Sequence, residues 1–221
     1  MHVPDLPSSE RFSLDETAER WAAFAALGAV AGEPGGRWYE ARDAQGALRA
    51  ALRPPLVLLD ASGLPAPDEL ARRAGEGPGR YALLLMRSGA AALGLFDDVE
   101  LVDHKTFKRY TVRGRGRAQS KHLATKGKSR YGSRLRLRNE ERLLEEVSER
   151  LGRWWADEPP PERLYASIPV RLAAQLARAE PPPPRALDER VRIPLHVHAP
   201  SNEELLRVHA SIARGRAWSD A

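Results

Sequence analysis

The chain has 221 residues, with 35 lysines and arginines against 30 acidic residues, and it contains no cysteine. Its apolar fraction of 42% supports a core in one medium domain or two small ones, and no apolar run reaches the roughly 20 residues that span a bilayer. The missing cysteines exclude disulfides, thiolate zinc sites and cysteine nucleophiles. The N-terminus has Asp5 and Glu10 but no basic cluster before an apolar stretch, so we expect a cytoplasmic protein. We also expect no cofactor and no bound metal.

The first third of the chain, residues 1–76, predicts a small α+β lobe. Ser13 to Glu16 has the pattern of a helix capping box, and the apolar residues that follow at helical spacing end near Gly28. Beyond a Gly/Pro cluster, residues 37–40 and 47–52 predict a pair of strands. A stretch rich in glycine and proline, residues 63–79, marks the boundary of this lobe.

The remaining residues, 77–221, predict an α/β domain of layered strands and helices. The apolar and β-branched runs indicate five strands, at residues 81–86, 90–96, 99–112, 164–168 and 191–197. Ser133 is expected to cap a long helix whose buried face holds Leu137, Leu144, Val147, Leu151 and Trp154. Further helices are predicted at 170–179 and, after a capping box that begins at Ser201, up to about Arg214.

Positive charge is concentrated in residues 105–138, which hold 13 lysines and arginines and no acidic residue. The rest of the chain has 22 basic and 30 acidic residues, so this segment alone makes the protein basic. Such a segment is typical of a protein with a polyphosphate partner, although a solvated loop without a partner also fits. We expect an exposed, mobile loop over residues 113–132. The candidate RNA-binding cations are Lys105, Lys108, Arg109, Arg113, Arg115, Arg117, Lys121, Lys126, Lys128, Arg130, Arg134 and Arg138.

One uncharged polar side chain in this loop, Gln119, is flanked by the small residues Gly116, Ala118 and Ser120. A glutamine cannot titrate and so cannot be a general base, but it can orient a water molecule. Small neighbours allow the backbone to approach a reacting centre closely. Most loop glutamines are simply solvated, so the spacing alone does not assign a role to Gln119.

The same region resembles a known family. Residues 104–113 (HKTFKRYTVR) and 116–120 (GRAQS), then a Gly/Lys/Ser tract leading to 132–136 (GSRLR) and 139–140 (NE), resemble the Vms-type release-factor domain. That family of peptidyl-tRNA hydrolases is allied to the middle domain of eukaryotic class-one release factors. The resemblance is sharpest over residues 81–155, and the chain is similar to a minimal, prokaryotic form.

The resemblance implies a ribonuclease-H-like fold whose loop enters the peptidyl-transferase centre of a large ribosomal subunit with a stalled nascent chain. By position, Gln119 matches the family's catalytic glutamine, which places water against the ester between peptide and tRNA. The implied partners are large-subunit rRNA and peptidyl-tRNA, with no membrane, and we expect a monomer. Ala118 stands where release factors have the second glycine of Gly-Gly-Gln, which favours the Vms-type branch with its looser Gly-x-x-Gln.

Two other classes of function stay open. A non-catalytic ribosome-binding or RNA-binding factor could use the same loop as an anchor, with Gln119 incidental. A metal-dependent nuclease could use Asp97, Asp98, Glu100 and Asp103, but the first two suit a turn and the last two are expected on opposite faces of a strand. His196 and His198 share a strand face in the predicted pattern, without a third metal ligand nearby in sequence.

Overall fold

The computed structural model describes residue 4, residues 6–109 and residues 128–220, with only the backbone of residues 128–133. In this part of the chain, the strands form two five-stranded sheets. The strands of the first sheet are β1 (Ser8–Phe12), β2 (Ala29–Gly32), β3 (Tyr39–Arg42), β4 (Leu48–Arg53) and β10 (Gly215–Ser219). They lie in the order β1-β10-β4-β3-β2 and are antiparallel throughout.

Two helices, α1 (Thr17–Ala25) and α2 (Pro67–Glu76), contribute to the core of this sheet. The Glu16 carboxylate accepts hydrogen bonds from the backbone N–H and the hydroxyl of Ser13, at 2.7 and 2.6 Å. The contact from the Ser13 N–H is one half of the predicted capping box, but the Ser13 hydroxyl donates to Glu16 instead of accepting from a backbone N–H. Helix α1 begins at Thr17, and the residue before it, Glu16, makes no side-chain capping bond. The core includes Phe12, Trp21, Phe24, Tyr39, Leu52 and Leu70, all buried. The two strands predicted at 37–40 and 47–52 are β3 and β4.

The lobe contains more than residues 1–76, because β10, near the C-terminus, lies between β1 and β4. Gly215 stands opposite Phe12 in this sheet, and a Cβ there would come within 2.1 Å of the Phe12 ring. The missing side chain therefore lets the phenyl ring cross β10. The sequence prediction did not include this strand, nor β1, β2 and α2.

The second sheet contains β5 (Arg80–Arg87), β6 (Ala90–Asp97), β7 (Glu100–Lys108), β8 (Arg163–Ser167) and β9 (Val191–Arg192). Their order is β7-β6-β5-β8-β9. The pairs β7/β6 and β6/β5 are antiparallel, whereas β8 is parallel to both β5 and β9. Helices α3 (Lys128–Ala156) and α4 (Val170–Leu176) pack on one face, and α5 (Asn202–Ile212) packs on the other. This confirms the expected mixed sheet flanked by helices.

Several element boundaries differ from the prediction. Helix α3 begins at Lys128, so residues 128–132 belong to a helix rather than to the loop, and Ser133 does not precede it. The side chain of Leu137 is 57% exposed, and the buried stripe of α3 begins at Leu143. β9 ends at Arg192, shortly before Pro194, which has no N–H to continue a ladder.

No helix of the described ranges is both long and apolar enough to cross a bilayer.

The two sheets are joined by a short 3-10 turn, Leu56–Leu58. Val57 packs into the core of the second sheet and Leu58 into that of the first. The hydroxyl of Tyr165 on β8 lies 2.7 Å from the carbonyl oxygen of Val57 and 2.9 Å from that of Leu59. The turn therefore links the lobe to the edge from which the second sheet's parallel strands start.

A buried histidine closes the core between the second sheet and α5. The ring of His209 stacks on Phe96 with 3.9 Å between ring centroids, and its Nε2 lies 2.8 Å from the Tyr81 hydroxyl. Burial lowers the pKa of His209 from 6.5 to about 4. The folded protein therefore holds a neutral ring from about pH 4 to neutral pH.

We expect this histidine to make the fold acid-sensitive. Below pH 6.5 the unfolded chain binds a proton at His209, while the folded chain does so only near pH 4, so stability falls as pH falls through this window. Between pH 7 and pH 4, the wild type should lose about 3 kcal/mol more unfolding free energy than His209→Gln does. Urea titrations measure this loss, with His198→Gln as control. Equal losses in wild type and His209→Gln would contradict the assignment.

Candidate functional site

The residues of the predicted site fall into three groups. Gln119 and its neighbours Gly116, Ala118 and Ser120 lie outside the described residues, as do Arg113, Arg115, Arg117, Lys121 and Lys126. The loop expected to be mobile lies outside them as well, up to residue 127. Lys128 and Arg130 are described by their backbone only, in the first turn of α3. Side chains are described for Lys105 and Lys108 on β7, for Arg109 directly after it, and for Arg134 and Arg138 on α3.

A β-bulge sets the side-chain directions of β7. Leu95 pairs with Asp103 and Phe96 with Leu101, so Val102 is an extra residue without a counterpart on β6. The bulge reverses the alternation of β7 at this point. Leu101 packs in the core beside α5, whereas Asp103 and Phe107 lie on the side of α3. The end of β7 nearest residue 110 therefore faces the long helix.

Asp103 joins β7 to the C-terminal half of α3. Its Oδ2 accepts a hydrogen bond from Nη1 of Arg150 at 2.9 Å and another from the indole N–H of Trp154 at 2.8 Å. The guanidinium of Arg150 also lies 5.8 Å from the centre of the Trp154 ring. Since Trp154 is 2% exposed, its indole N–H has little access to water. The Asp103 carboxylate supplies the hydrogen-bond acceptor that this buried N–H would otherwise lack.

A second pair of contacts fixes the last described residue before the candidate loop. The backbone N–H of Arg109 donates to the Gly89 carbonyl at 2.7 Å, and its Nε lies 3.1 Å from Oε2 of Glu146 on α3. The sequence analysis named Arg109 as a candidate RNA-binding cation. The structure instead gives Arg109 and Glu146 an ion pair with each other. The ion pair reduces the charge that Arg109 can offer to a ligand.

The N-terminal part of α3 extends beyond the core. The helix has 29 residues, which corresponds to about 43 Å, and its fully buried residues start at Leu143. Arg134 and Arg138 are exposed, along with Leu135 and Leu137. The first turn of α3 has no acidic residue but contains Lys128 and Arg130. Cations at a helix N-terminus are unfavourable unless an anion is near, so this end of the helix suits an anionic partner.

The acidic residues around β6 and β7 do not form the nuclease site that the sequence left open. The bulge places Glu100 on the same face as Asp103, so the expectation that they lie on opposite faces was wrong. Asp98 caps a turn instead, since its Oδ1 accepts from the Gly79 N–H at 3.0 Å and its φ is 52°. Among the residues described, no three His, Asp or Glu side chains are arranged to hold a metal ion.

The histidine pair of the predicted last strand lies beyond the end of β9. The rings of His196 and His198 contact each other edge to face, with 4.4 Å between centroids. The carbonyl oxygen of His196 accepts a hydrogen bond from Arg207 of α5 at 3.4 Å. This pair contacts α5 and does not belong to the elements that flank the candidate loop.

The flanking elements form the centre of the region that matches a known family. A family model described as Bacteroidetes VLRF1 release factor matches residues 81–218. The chain belongs to this family. The match runs from Tyr81 in β5 to Trp218 in β10 and includes the whole segment between β7 and α3. Membership in this release-factor family supports a role in translation, and it confirms the resemblance on which the sequence analysis relied.

The fold has a counterpart among solved structures. The chain is similar to a structure titled "Vms1 mitochondrial localization core", with a TM-score of 0.51 and 14% sequence identity. The alignment covers 80% of this chain and 74% of that one. At this identity the likeness shows a shared fold. No curated protein has a sequence that matches the chain.

We expect Asp103 to contribute strongly to the joint between β7 and α3. Asp103→Ala should lower the free energy of unfolding by about 2 kcal/mol, because it leaves the buried Trp154 N–H and Arg150 without their charged acceptor. Glu100→Ala, which removes an exposed carboxylate from the same strand, should cost less than about 0.5 kcal/mol. Urea unfolding followed by tryptophan fluorescence measures both values. Equal effects of the two substitutions would show that the contacts of Asp103 contribute nothing specific.

Proposed function

We propose that the protein is a peptidyl-tRNA hydrolase that releases nascent chains from stalled or split large ribosomal subunits. The observation that carries this proposal is the family match across residues 81–218, which includes the Gly-Arg-Ala-Gln-Ser segment at 116–120. This segment falls between β7 and α3, the two elements joined by Asp103 and by Arg109. The partners in this proposal are large-subunit rRNA and peptidyl-tRNA, and the protein acts as a cytoplasmic monomer.

The proposed reaction is hydrolysis of the ester between the peptide and the terminal ribose. Gln119 positions a water molecule, whose oxygen attacks the ester carbonyl carbon. The bond between this carbon and the ribose oxygen then breaks, the ribose oxygen takes up a proton, and the peptide leaves with a free carboxyl group. Backbone N–H groups beside Ala118 and Ser120 stabilise the oxyanion or the leaving hydroxyl. Ala118 replaces the second glycine of the release-factor motif without removing a backbone N–H.

The charges on the flanking elements support an RNA partner. Lys105 and Lys108 on β7 are exposed, as are Arg134 and Arg138 on α3. The first turn of α3 combines a helix N-terminus with cations and no acidic residue. These cations repel one another and the positive end of the helix dipole. Phosphates of rRNA would offset both repulsions. A non-catalytic ribosome-binding factor would use the same charges, so binding alone does not distinguish the two functions.

Gln119→Ala distinguishes them. We expect this variant to bind large-subunit peptidyl-tRNA complexes like the wild type but to release peptide about a hundredfold more slowly, because the water loses its positioning group. Gln45→Ala, in an exposed turn of the first lobe, is the matched control and should retain full activity. The assay measures peptide release at equal occupancy. Binding without release by the wild type would refute the hydrolase and leave a ribosome-binding factor.

The loop arginines are expected to contribute to binding and not to folding. Replacing Arg113, Arg115 and Arg117 by alanine should weaken association with the large subunit and reduce its salt dependence, since each phosphate contact contributes a slope of about 0.7 to 0.9. The melting temperature should stay close to that of the wild type. The control removes the exposed Arg171, Arg178 and Arg185. A large loss of thermal stability in the loop variant would identify a structural element instead.

A further inference from the structure

Three arginines lie side by side across the first sheet. Arg216 on β10 pairs directly with Arg11 on β1 and with Arg53 on β4. Directly opposed residues project from the same face of a sheet, so the three side chains form one row, hereafter the arginine row. With strands about 4.8 Å apart, the row is about 10 Å long.

The arginine row lies on the face of the first sheet opposite α1 and α2. Trp218 and Trp38 are on the same face, packed with Ala51, and Leu6 covers them in part. The guanidinium groups of Arg216 and Arg53 lie 5.2 and 5.8 Å from the centre of the Trp218 ring. These contacts restrict two of the three arginines to positions over the indole.

The arginine row has no acidic partner within ion-pair distance in the described part of the chain. Arginines around it do have one: Arg42 pairs with Glu40 at 2.7 Å and Arg49 with Asp220 at 3.0 Å. Within the row, Arg216 donates one hydrogen bond to the Ser9 hydroxyl at 2.7 Å, and its Nε has no partner. Partial burial and the charges of Arg216 and Arg11 lower the pKa of Arg53, which reflects this crowding of like charges.

Like charges directly opposite each other destabilise a sheet, so this arrangement suits a protein whose partner supplies negative charge. The remainder of the chain outside residues 105–138 has more acidic than basic residues, so the row is not a consequence of general basicity. Both tryptophans are at most 5% exposed. They therefore offer no ring surface for stacking on bases or for insertion into a membrane interface. The one carboxylate that the strand registers place on this face, that of Glu40, is paired with Arg42.

We propose that the arginine row is a second RNA-binding surface, which contacts the phosphate backbone of RNA without reading its sequence. The planar guanidinium groups suit phosphate oxygens, and a row of about 10 Å spans about two or three phosphates of one strand. We take the RNA to be ribosomal, and this part of the proposal rests on the proposed function. Binding to an RNA backbone is inferred from the geometry of the first sheet and does not depend on that function.

The test compares two triple variants of equal net charge. One replaces the arginine row, Arg11, Arg53 and Arg216, by glutamine. The control replaces by glutamine three helix arginines that each have an acidic partner, Arg20, Arg72 and Arg207. The full-length proteins are titrated with a fluorescently labelled oligouridylate at several salt concentrations, and with vesicles that contain phosphatidylserine.

Loss of the arginine row should reduce the slope of log affinity against log salt by about 2, since each single-strand phosphate contact contributes about 0.7. The control should change the slope much less. Arg53→Gln alone should reduce it by about 0.7. Equal effects of both triple variants, or an effect of the row on vesicle binding but not on RNA binding, would overturn the proposal.

Two further measurements separate RNA binding by the row from a structural role and from the hydrolase activity. Because removal of the row relieves repulsion, its variant should melt no lower than the control variant, and a much lower melting temperature would make the row a structural element. Gln119→Ala should bind the oligouridylate like the wild type. Failure of the wild type to release peptide would therefore refute the hydrolase and leave the RNA-binding result unchanged.

Discussion

One carboxylate, that of Asp103, determines how the second sheet holds the segment proposed to carry the chemistry. It binds Arg150 and the indole N–H of Trp154, and so joins the edge strand β7 to the helix α3. The two elements lead directly into and out of residues 110–127. The contacts of Asp103 therefore fix the two elements between which Gln119 lies in the sequence. A residue that acts by positioning a water molecule depends on the rigidity of the elements that hold it more than on its own acidity or basicity.

The joint depends in turn on the bulge at Val102. In a regular strand, residues two apart share a face, so Asp103 would lie beside α5 together with Leu101. The extra residue shifts the alternation by one, and Asp103 and Phe107 then lie toward α3. The ion pair of Arg109 with Glu146 extends the same contact to the last described residue before the candidate loop. A local irregularity thus produces a regular interface between strand and helix.

Local patterns in the sequence were sufficient for elements whose partners are close in the chain. The apolar runs of β5 and β6 form an adjacent antiparallel pair, and the hydroxyl of Ser201 accepts from the Glu204 N–H at the start of α5, as the capping box predicted. Pairing of β10 with β1 joins the two ends of the chain, and neither polar strand has a clear alternation, so local pattern did not reveal it. The arginine row was missed for this reason. The role of Gln119 stays a prediction from the family resemblance.

The distribution of paired and unpaired cations is consistent with the proposed binding of RNA by a chain with many acidic residues. Several helix arginines are neutralised within the protein: Arg72 pairs with Glu69 and Glu76, and Arg73 pairs with Asp60 and Glu69. An RNA phosphate would have to displace such a carboxylate, so these arginines contribute little to binding. Exposed cations such as Arg134 and Arg138 on α3, and the arginine row on the first sheet, have no such competitor among the described contacts. Affinity for a polyanion therefore depends on where acidic residues are absent more than on the net charge.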